Sequence, residues 1–221
     1  MRTFRMTNTD WQDMSQGEVA YRRLYDAIRD GQFRPGDRLR EIDVSKQLQL
    51  SRTPVREALR KLENDGIVEH RPRIGAVIRT LSSPEIVELY EMRLVLERTA
   101  AEMAAKHASA AEIDLLSDIN DQIEKVRSDT QRAAALNQDF HRSIYLATRN
   151  RFLLEAARAL NNALMLLGPT TLDDEARIQT VHAQHAEIID AIRSSDQAAA
   201  GKAADAHLQT SLRHRLKGLQ K

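Results

Sequence analysis

The chain has 221 residues, a formal net charge of +1 and no cysteine, which excludes a disulfide framework and a thiolate metal site and fits a reducing cytoplasm. That length holds one large or two modest domains, and its abundant alanine and leucine and few aromatics favour helices over sheets. No apolar run approaches membrane-spanning length, and residues 1–16 lack the apolar centre of a signal peptide, so they read as a loose arm.

Residues 17–29 read as a helix with Val19, Leu24 and Ile28 inward, stopped by Gly31 and followed by a turn at Pro35-Gly36. Residues 39–48 give a second helix with Leu39, Ile42 and Leu48 inside, and Gln49-Leu50 connects tightly to a third. In that third helix Arg52, Arg56 and Arg60 recur every four residues and share one face, while Val55, Leu59 and Leu62 form the core stripe. Ser51 or Thr53 can cap it, Pro54 falls harmlessly in the first turn, and Gly66 closes it. Two short β-rich runs follow, 67–70 and 76–79, joined by Arg71-Pro72-Arg73-Ile74-Gly75.

Three helices with a two-stranded appendix make a winged helix-turn-helix over 17–80, with double-stranded operator DNA as the expected partner. An apolar-backed helix with arginines near its N-terminal end suits the major groove. Charge agrees with this placement: residues 18–80 carry 14 Lys/Arg against 10 Asp/Glu, whereas residues 81–221 carry 17 against 20.

Residues 81–221 show only helical periodicity. Six segments, at about 84–107, 110–127, 131–148, 151–167, 172–193 and 195–217, are separated by short breaks, which predicts an antiparallel six-helix bundle. The fold class is therefore mostly α. Polar residues interrupt the apolar stripes of this half. Arg93 lies within the stripe Ile86, Leu89, Leu96, Ala100; it either pairs with Glu97 one turn on, or snorkels, or is a buried guanidinium open to an anion such as a carboxylate. Asn137 and His141 are one turn apart and can converge on one point, His185 sits at the centre of the stripe Ile178, Val181, Ile188, Ile192, and His207 lies beside Leu208. Three inward histidines on separate helices are either hydrogen-bonded core residues or ligands of a shared metal. His182 and His214 lie on neighbouring faces and read as solvated or outer-shell residues. Leu89, Phe140, Ile144 and Met165 are apolar candidates for lining a pocket.

From about residue 17 to 216 the chain resembles the GntR family of bacterial transcription regulators, in particular the FadR subfamily with its FCD effector domain, and the six-helix count points to the VanR-like subgroup. The motifs are S-R-T-P-V-R-E-A-L-R-K-L-E-N-D-G-I-V at 51–68, E-L-Y-E-M-R-L-V-L-E at 88–97, and the trio N-Q-D-F-H at 137–141, H-A-E-I-I-D-A-I at 185–192 and A-H-L at 206–208.

The resemblance implies that Arg52, Thr53 and Arg56 touch bases and phosphates, and that Arg73 and Gly75 at the wing tip approach the minor groove. Arg60 and Arg71 complete the expected DNA-binding set. It also implies a metal site at His141, His185 and His207, with Asn137 standing where metal-binding members carry an aspartate. Asp139 cannot substitute, because two residues along a helix turn the side chain by about 200°. Three imidazoles plus an amide suit a divalent transition metal of the Zn, Ni, Co or Mn type.

Arg93 matches the effector-cavity arginine, so Arg93, Asn137 and the three histidines form the expected effector site for a small organic acid. The expected protein is a cytoplasmic homodimer without catalytic residues, a repressor or activator whose effector changes the spacing of its DNA-binding heads. A metal sensor, with the metal itself as effector, is the nearest alternative. A helical-bundle metalloenzyme with a DNA-binding head is the other; against it stand the lack of H-E-x-x-H, of a Gly-rich phosphate loop and of a well-placed general base.

Overall fold

A computed structural model describes residues 14–168 and 170–218. The arm expected for residues 1–16 lies outside the described residues as far as residue 13. From Ser15 the chain is already structured, because the Ser15 side chain accepts from the Glu18 amide and caps helix α1 (Gln16–Arg29).

The first compact unit comprises residues 14–81 together with Asn161–Gly168. It holds α1, α2 (Glu41–Leu48), α3 (Arg52–Asn64) and a two-stranded antiparallel sheet, β1 (Val68–Arg71) with β2 (Gly75–Ile78). Its core is Ala20, Leu24 and Ile28 of α1, Val55, Ala58, Leu59 and Leu62 of α3, and Ile67, Val68 and Ile78 of the wing. The inward stripe predicted for α3 is buried as expected, and its arginine face is exposed.

The second helix differs from the expectation. Leu39 and Arg40 are not helical as expected: the Leu39 amide donates to the Ala76 carbonyl at 2.9 Å, and Arg38 before it bridges Val77. The helix starts at Glu41 and buries Val44, leaving Ile42 half exposed. The strands sit one residue off the predicted runs, in the register Val68↔Ile78 to Arg71↔Gly75. At the helix ends, Ser51 holds the N-cap position of α3 without a side-chain cap bond, and Thr53 lies inside the helix. Gly66 takes the left-handed conformation (φ +72°) that ends it.

The second unit, Ser82–Leu160 with residues 170–218, contains α4 (Ser83–His107), α5 (Ala110–Lys125), α6 (Thr130–Ala147), α7 (Arg151–Leu164), α8 (Glu175–Arg193) and α9 (Gln197–Gly218). The last residues of α7 and the short 3₁₀ turn Met165–Leu167 belong to the first unit. Ser82 with Glu85 and Ser109 with Glu112 form capping boxes that start α4 and α5. Asp129 and Asp174 cap α6 and α8 through the Arg132 and Arg177 amides.

A ridge of small residues, Ala100, Ala101 and Ala104 on α4 against Ala200, Gly201 and Ala204 on α9, lets these helices pack closely. Side chains bonded across α8 and α9 run in opposite order (Gln184 to His207, Arg177 to Ser211), so these two helices are antiparallel. Phe140, Ile144, Ile178, Ile188 and Ile192 fill the interior around them. No described helix is long and apolar enough to cross a membrane.

Candidate DNA-reading groove and buried histidine centre

In the first unit, α3, the start of α2 and the wing enclose a groove of about 740 Å³ whose lining includes Arg38, Arg40, Arg52, Arg56, Arg60 and Gly75. Of the seven sequence-predicted DNA residues, Arg52, Arg56, Arg60 and Gly75 line the groove, whereas Thr53, Arg71 and Arg73 are exposed but do not. Glu41 on α2 organises the arginines. Its carboxylate accepts from Arg56 Nε and Nη2 at 2.7 and 2.9 Å and from Arg52 Nη2 at 3.4 Å. These bonds hold Glu41 below the usual carboxylate range, the Arg56 bond contributing most.

Arg60 has no carboxylate within ion-pair distance among the described residues, whereas Arg71 pairs with Glu69 at 2.6 Å. At the wing tip Arg73 takes a left-handed backbone conformation (φ +65°), rare for a side chain with a Cβ, and Gly75 follows at φ +96°. Arg38 and Arg40 were not singled out by the sequence pattern; the extended run ahead of α2 aims them into the groove.

In the second unit, His141 (α6), His185 (α8) and His207 (α9) meet in the bundle interior, and one ligand atom from each lies within 4.8 Å of the others. His185 is fully buried and stacks on Phe140 with ring centroids 3.8 Å apart. Burial pushes the His185 and His207 pKa values well below the ordinary imidazole value, with the neighbouring imidazoles adding to the effect, so both rings are neutral and their ligand lone pairs free.

Two outer contacts select the atoms that face the centre. His141 Nδ1 donates to Glu97 Oε2 at 2.7 Å and leaves Nε2 buried without a partner. His207 Nδ1 donates to Gln184 Oε1 at 3.1 Å. Neither nitrogen of His185 has a partner. Buried polar atoms ordinarily find hydrogen bonds; three converging imidazoles, two of them with orphaned nitrogens, fit a divalent transition metal.

Asn137, one turn before His141 on α6, is half-buried, and its Oδ1 is buried with no hydrogen-bond partner. Asp139 is exposed, as the helical rotation predicts. His182 and His214 are each beside a surface aspartate, Asp121 and Asp173.

Both readings of Arg93 meet in the structure: the guanidinium is buried, and it is paired. Arg93 donates from Nε and Nη2 to Glu97 Oε1, each at 2.8 Å, with both side chains 9% exposed, and lies 4.8 Å over the Tyr90 ring. Desolvation opposes the Glu97 charge, but Arg93 and His141 outweigh it and hold the carboxyl far below its usual range. Arg93 is therefore satisfied from within.

The cavity beside the histidines is lined by Glu97, His141, Ile144, Tyr145, Ile188 and His207 among others and measures about 10 Å³, room for one ion or water. Of the apolar residues expected to line a pocket, Ile144 lines this cavity and Phe140 stacks on His185 beside it; Leu89 is buried but not in the lining, and Met165 packs on the core of the first unit. Glu97 and Gln184 acquire their roles from contacts between helices, which spacing along one helix does not encode. Arg177 was also missed, although it precedes Val181 and His185 at four-residue steps on the inward stripe.

A winged helix-turn-helix joined to an all-helical domain is the architecture of a DNA-binding transcription regulator. Residues 16–78 match the bacterial regulatory proteins of the gntR family and residues 88–210 match the FCD domain, so the chain belongs to the GntR family and carries an FCD domain. Family and relatives are regulators rather than enzymes.

The chain is 32% identical over 192 residues to a probable D-xylose utilization operon transcriptional repressor of Paenarthrobacter nicotinovorans, covering 84% of this chain and 82% of that protein. It is 29% identical over 198 residues to the HTH-type transcriptional regulator YdhC of Bacillus subtilis (strain 168), covering 88% of each. A GntR transcriptional regulator structure from Rhodococcus sp. RHA1 superimposes with a TM-score of 0.79 at 27% identity, covering 92% of this chain and 99% of that one.

Proposed function

We propose that the chain is a cytoplasmic, homodimeric repressor that binds a pseudo-palindromic operator through α3 and the wing, with affinity set by a divalent transition metal and a small organic acid in the helical domain. The carrying observation is the convergence of three imidazoles in the bundle interior, with His141 Nε2 and both nitrogens of His185 buried and unpartnered. His141 and His207 would bind the metal through Nε2, and the metal would supply a Lewis-acid point for an acid's carboxylate.

On the DNA side, Arg52 and Arg56 would read base edges, with Glu41 fixing their direction. Thr53, Arg60 and Arg71 would hold phosphates, and Arg73 with Gly75 would enter the minor groove. Repression follows the Paenarthrobacter relative's description. The half-exposed Met92 and Val95 on α4 leave an apolar stripe open to a second copy. Helix α4 carries Arg93 and Glu97 and begins five residues after β2 ends, so a shift of α4 is passed along the backbone to the wing.

The test is operator binding by the full chain, followed by fluorescence anisotropy, with metal removed, with Zn alone, and with Zn plus single organic acids. Operator affinity that changes only when acid joins Zn is the expected result. Affinity indifferent to both would sink the effector reading. The roughly water-sized cavity favours a second reading, in which the metal is the whole signal. A roughly tenfold change with Zn alone, about 1.4 kcal/mol, that no acid extends would establish it.

A further inference from the structure

Arg93 is closed off by Glu97, yet a second guanidinium inside the same bundle is not. Arg177 on α8 is 6% exposed. Its Nη2 donates to Ser211 Oγ at 2.9 Å, whereas Nε and Nη1 are buried without any acceptor. No carboxylate among the described residues lies within ion-pair distance of it. Three N–H donors, one on Nε and two on Nη1, thus point into protein with nothing to receive them. Burial lowers the Arg177 pKa, and Asp173 and Asp174 offset this only in part.

Position gives this open fork its meaning. Arg177, Val181 and His185 follow one another at four-residue steps on one face of α8, and Ser211 lies one turn beyond His207 on the antiparallel α9. By reaching Ser211, the Arg177 side chain extends along the bundle toward the imidazoles. Its guanidinium is held about one helical turn, ~6 Å, from their level. The electrostatics agree, since Arg177 bears on both His185 and His207. Tyr90, which stacks under Arg93, also lies within electrostatic range of Arg177.

We propose that Arg177 is the second anchor of the effector site, so that the ligand is a short-chain dicarboxylate: one carboxylate at the His141/His185/His207 centre, the other on the Arg177 fork beside Ser211. This rests on the organic-acid reading above and narrows it from acids in general to acids with two anionic groups. A monocarboxylate would leave the fork as empty as it is without ligand. The ~10 Å³ cavity requires the bundle to open between the two anchors as the acid enters. A buried cation without a counter-charge is where such opening costs least, because the acid supplies the missing charge.

The experiment is calorimetric titration of the Zn-loaded full chain with malonate, succinate and glutarate, each against propionate, butyrate and valerate. Wild type, Arg177→Met and Ser211→Ala are compared, with Zn content and melting temperature measured on the same samples. The expected result is that one dicarboxylate binds wild type at least about tenfold more tightly than its monocarboxylate partner. Arg177→Met should erase that preference and melt no lower than wild type, since it trades an unpaired buried charge for an apolar chain.

Ser211→Ala keeps the guanidinium and should weaken the preference without abolishing it, which keeps the test decisive should Arg177→Met fail to fold. A dicarboxylate preference that survives Arg177→Met overturns the assignment. Equal loss of both acid classes with a lower melting temperature makes Arg177 structural and also overturns it. If no acid of either class binds wild type, the organic-acid reading itself fails, a result distinct from either.

Discussion

His141 and Glu97 share one hydrogen bond, Nδ1 to Oε2 at 2.7 Å, and the other oxygen of the same carboxylate takes both hydrogen bonds from Arg93. One buried carboxylate thus neutralises a buried guanidinium and fixes the tautomer of a candidate metal ligand. Mutation of Glu97 touches both roles, whereas mutation of Arg93 leaves the contact with His141 in place.

Glu97→Gln removes the acceptor charge behind His141 while keeping the side-chain shape. Carboxylate–histidine contacts of this kind raise ligand basicity, and their loss costs about 10–100-fold in metal affinity. The expected outcome is a fall of that order in Zn affinity, read by chelator competition. Arg93→Ala acts on the other role, stranding the Glu97 charge inside the bundle, and should destabilise the fold by about 3–5 kcal/mol in urea unfolding. Unaltered Zn affinity in the first variant would show that Glu97 serves Arg93 alone.

Asn137→Asp tests the departure at that position. The Asn137 Oδ1 is buried with nothing bound to it, and a carboxylate there adds charge as well as an oxygen. Zn affinity should rise by tenfold or more, while the metal-free protein should become less stable because the new charge is buried unpaired. Equal Zn affinity in the two proteins would place residue 137 outside the metal's reach.

Stability of the metal-free protein should depend on pH near neutrality. His185 and His207 are held well below the ordinary imidazole value of about 6.5 by burial. In that range the unfolded chain binds protons that the folded one refuses, so stability is highest above about pH 6.5 and falls as the solution is acidified from there toward the lowered folded values. Urea midpoints of the metal-free chain at pH 7.5 and 5.5 should show the drop, and replacing His185 with Phe should flatten it.

The periodic parts of this molecule were plain in its sequence. The inward stripes of α3 and α8, the six-helix half and the inward placement of three histidines follow from spacing, because burial on a helix repeats with its turn; that the three share one centre was implied by the family resemblance. Three features did not follow from either. Leu39 leaves the predicted second helix because Ala76 of the wing takes its backbone amide and Val77 bridges the preceding Arg38. Arg93 looked open to an anion because its partner Glu97 was one of several readings of the same spacing. Arg177 attracted no notice since its isolation depends on which acids are absent around it, a property of the packed bundle.

In the groove, Glu41 bonds both Arg52 and Arg56, so a carboxylate sits within the surface that would face DNA. Arg52→Ala should cost about 1–3 kcal/mol of operator affinity and relax specificity at one base. Glu41→Ala removes a repulsive charge and frees both arginines to meet phosphates anywhere. Binding to random duplex should tighten and its salt dependence steepen, while the ratio of operator to random affinity falls. A ratio that holds would mean that Glu41 plays no part in aiming the arginines.

The wing tip sets backbone comfort against charge. Arg73 holds a left-handed conformation (φ +65°) that disfavours side chains with a Cβ by about 1–2 kcal/mol. Arg73→Gly removes that strain at some entropic cost and should leave the unfolding free energy equal or slightly higher. If the arginine is kept there for the minor groove, the same change should weaken operator binding most where the flanking sequence is rich in A·T, whose narrow minor groove attracts arginine. Arg73→Asn keeps a residue at ease in this conformation without the charge, and should match the glycine variant in DNA binding. Operator affinity that survives both changes would take the wing tip out of DNA recognition.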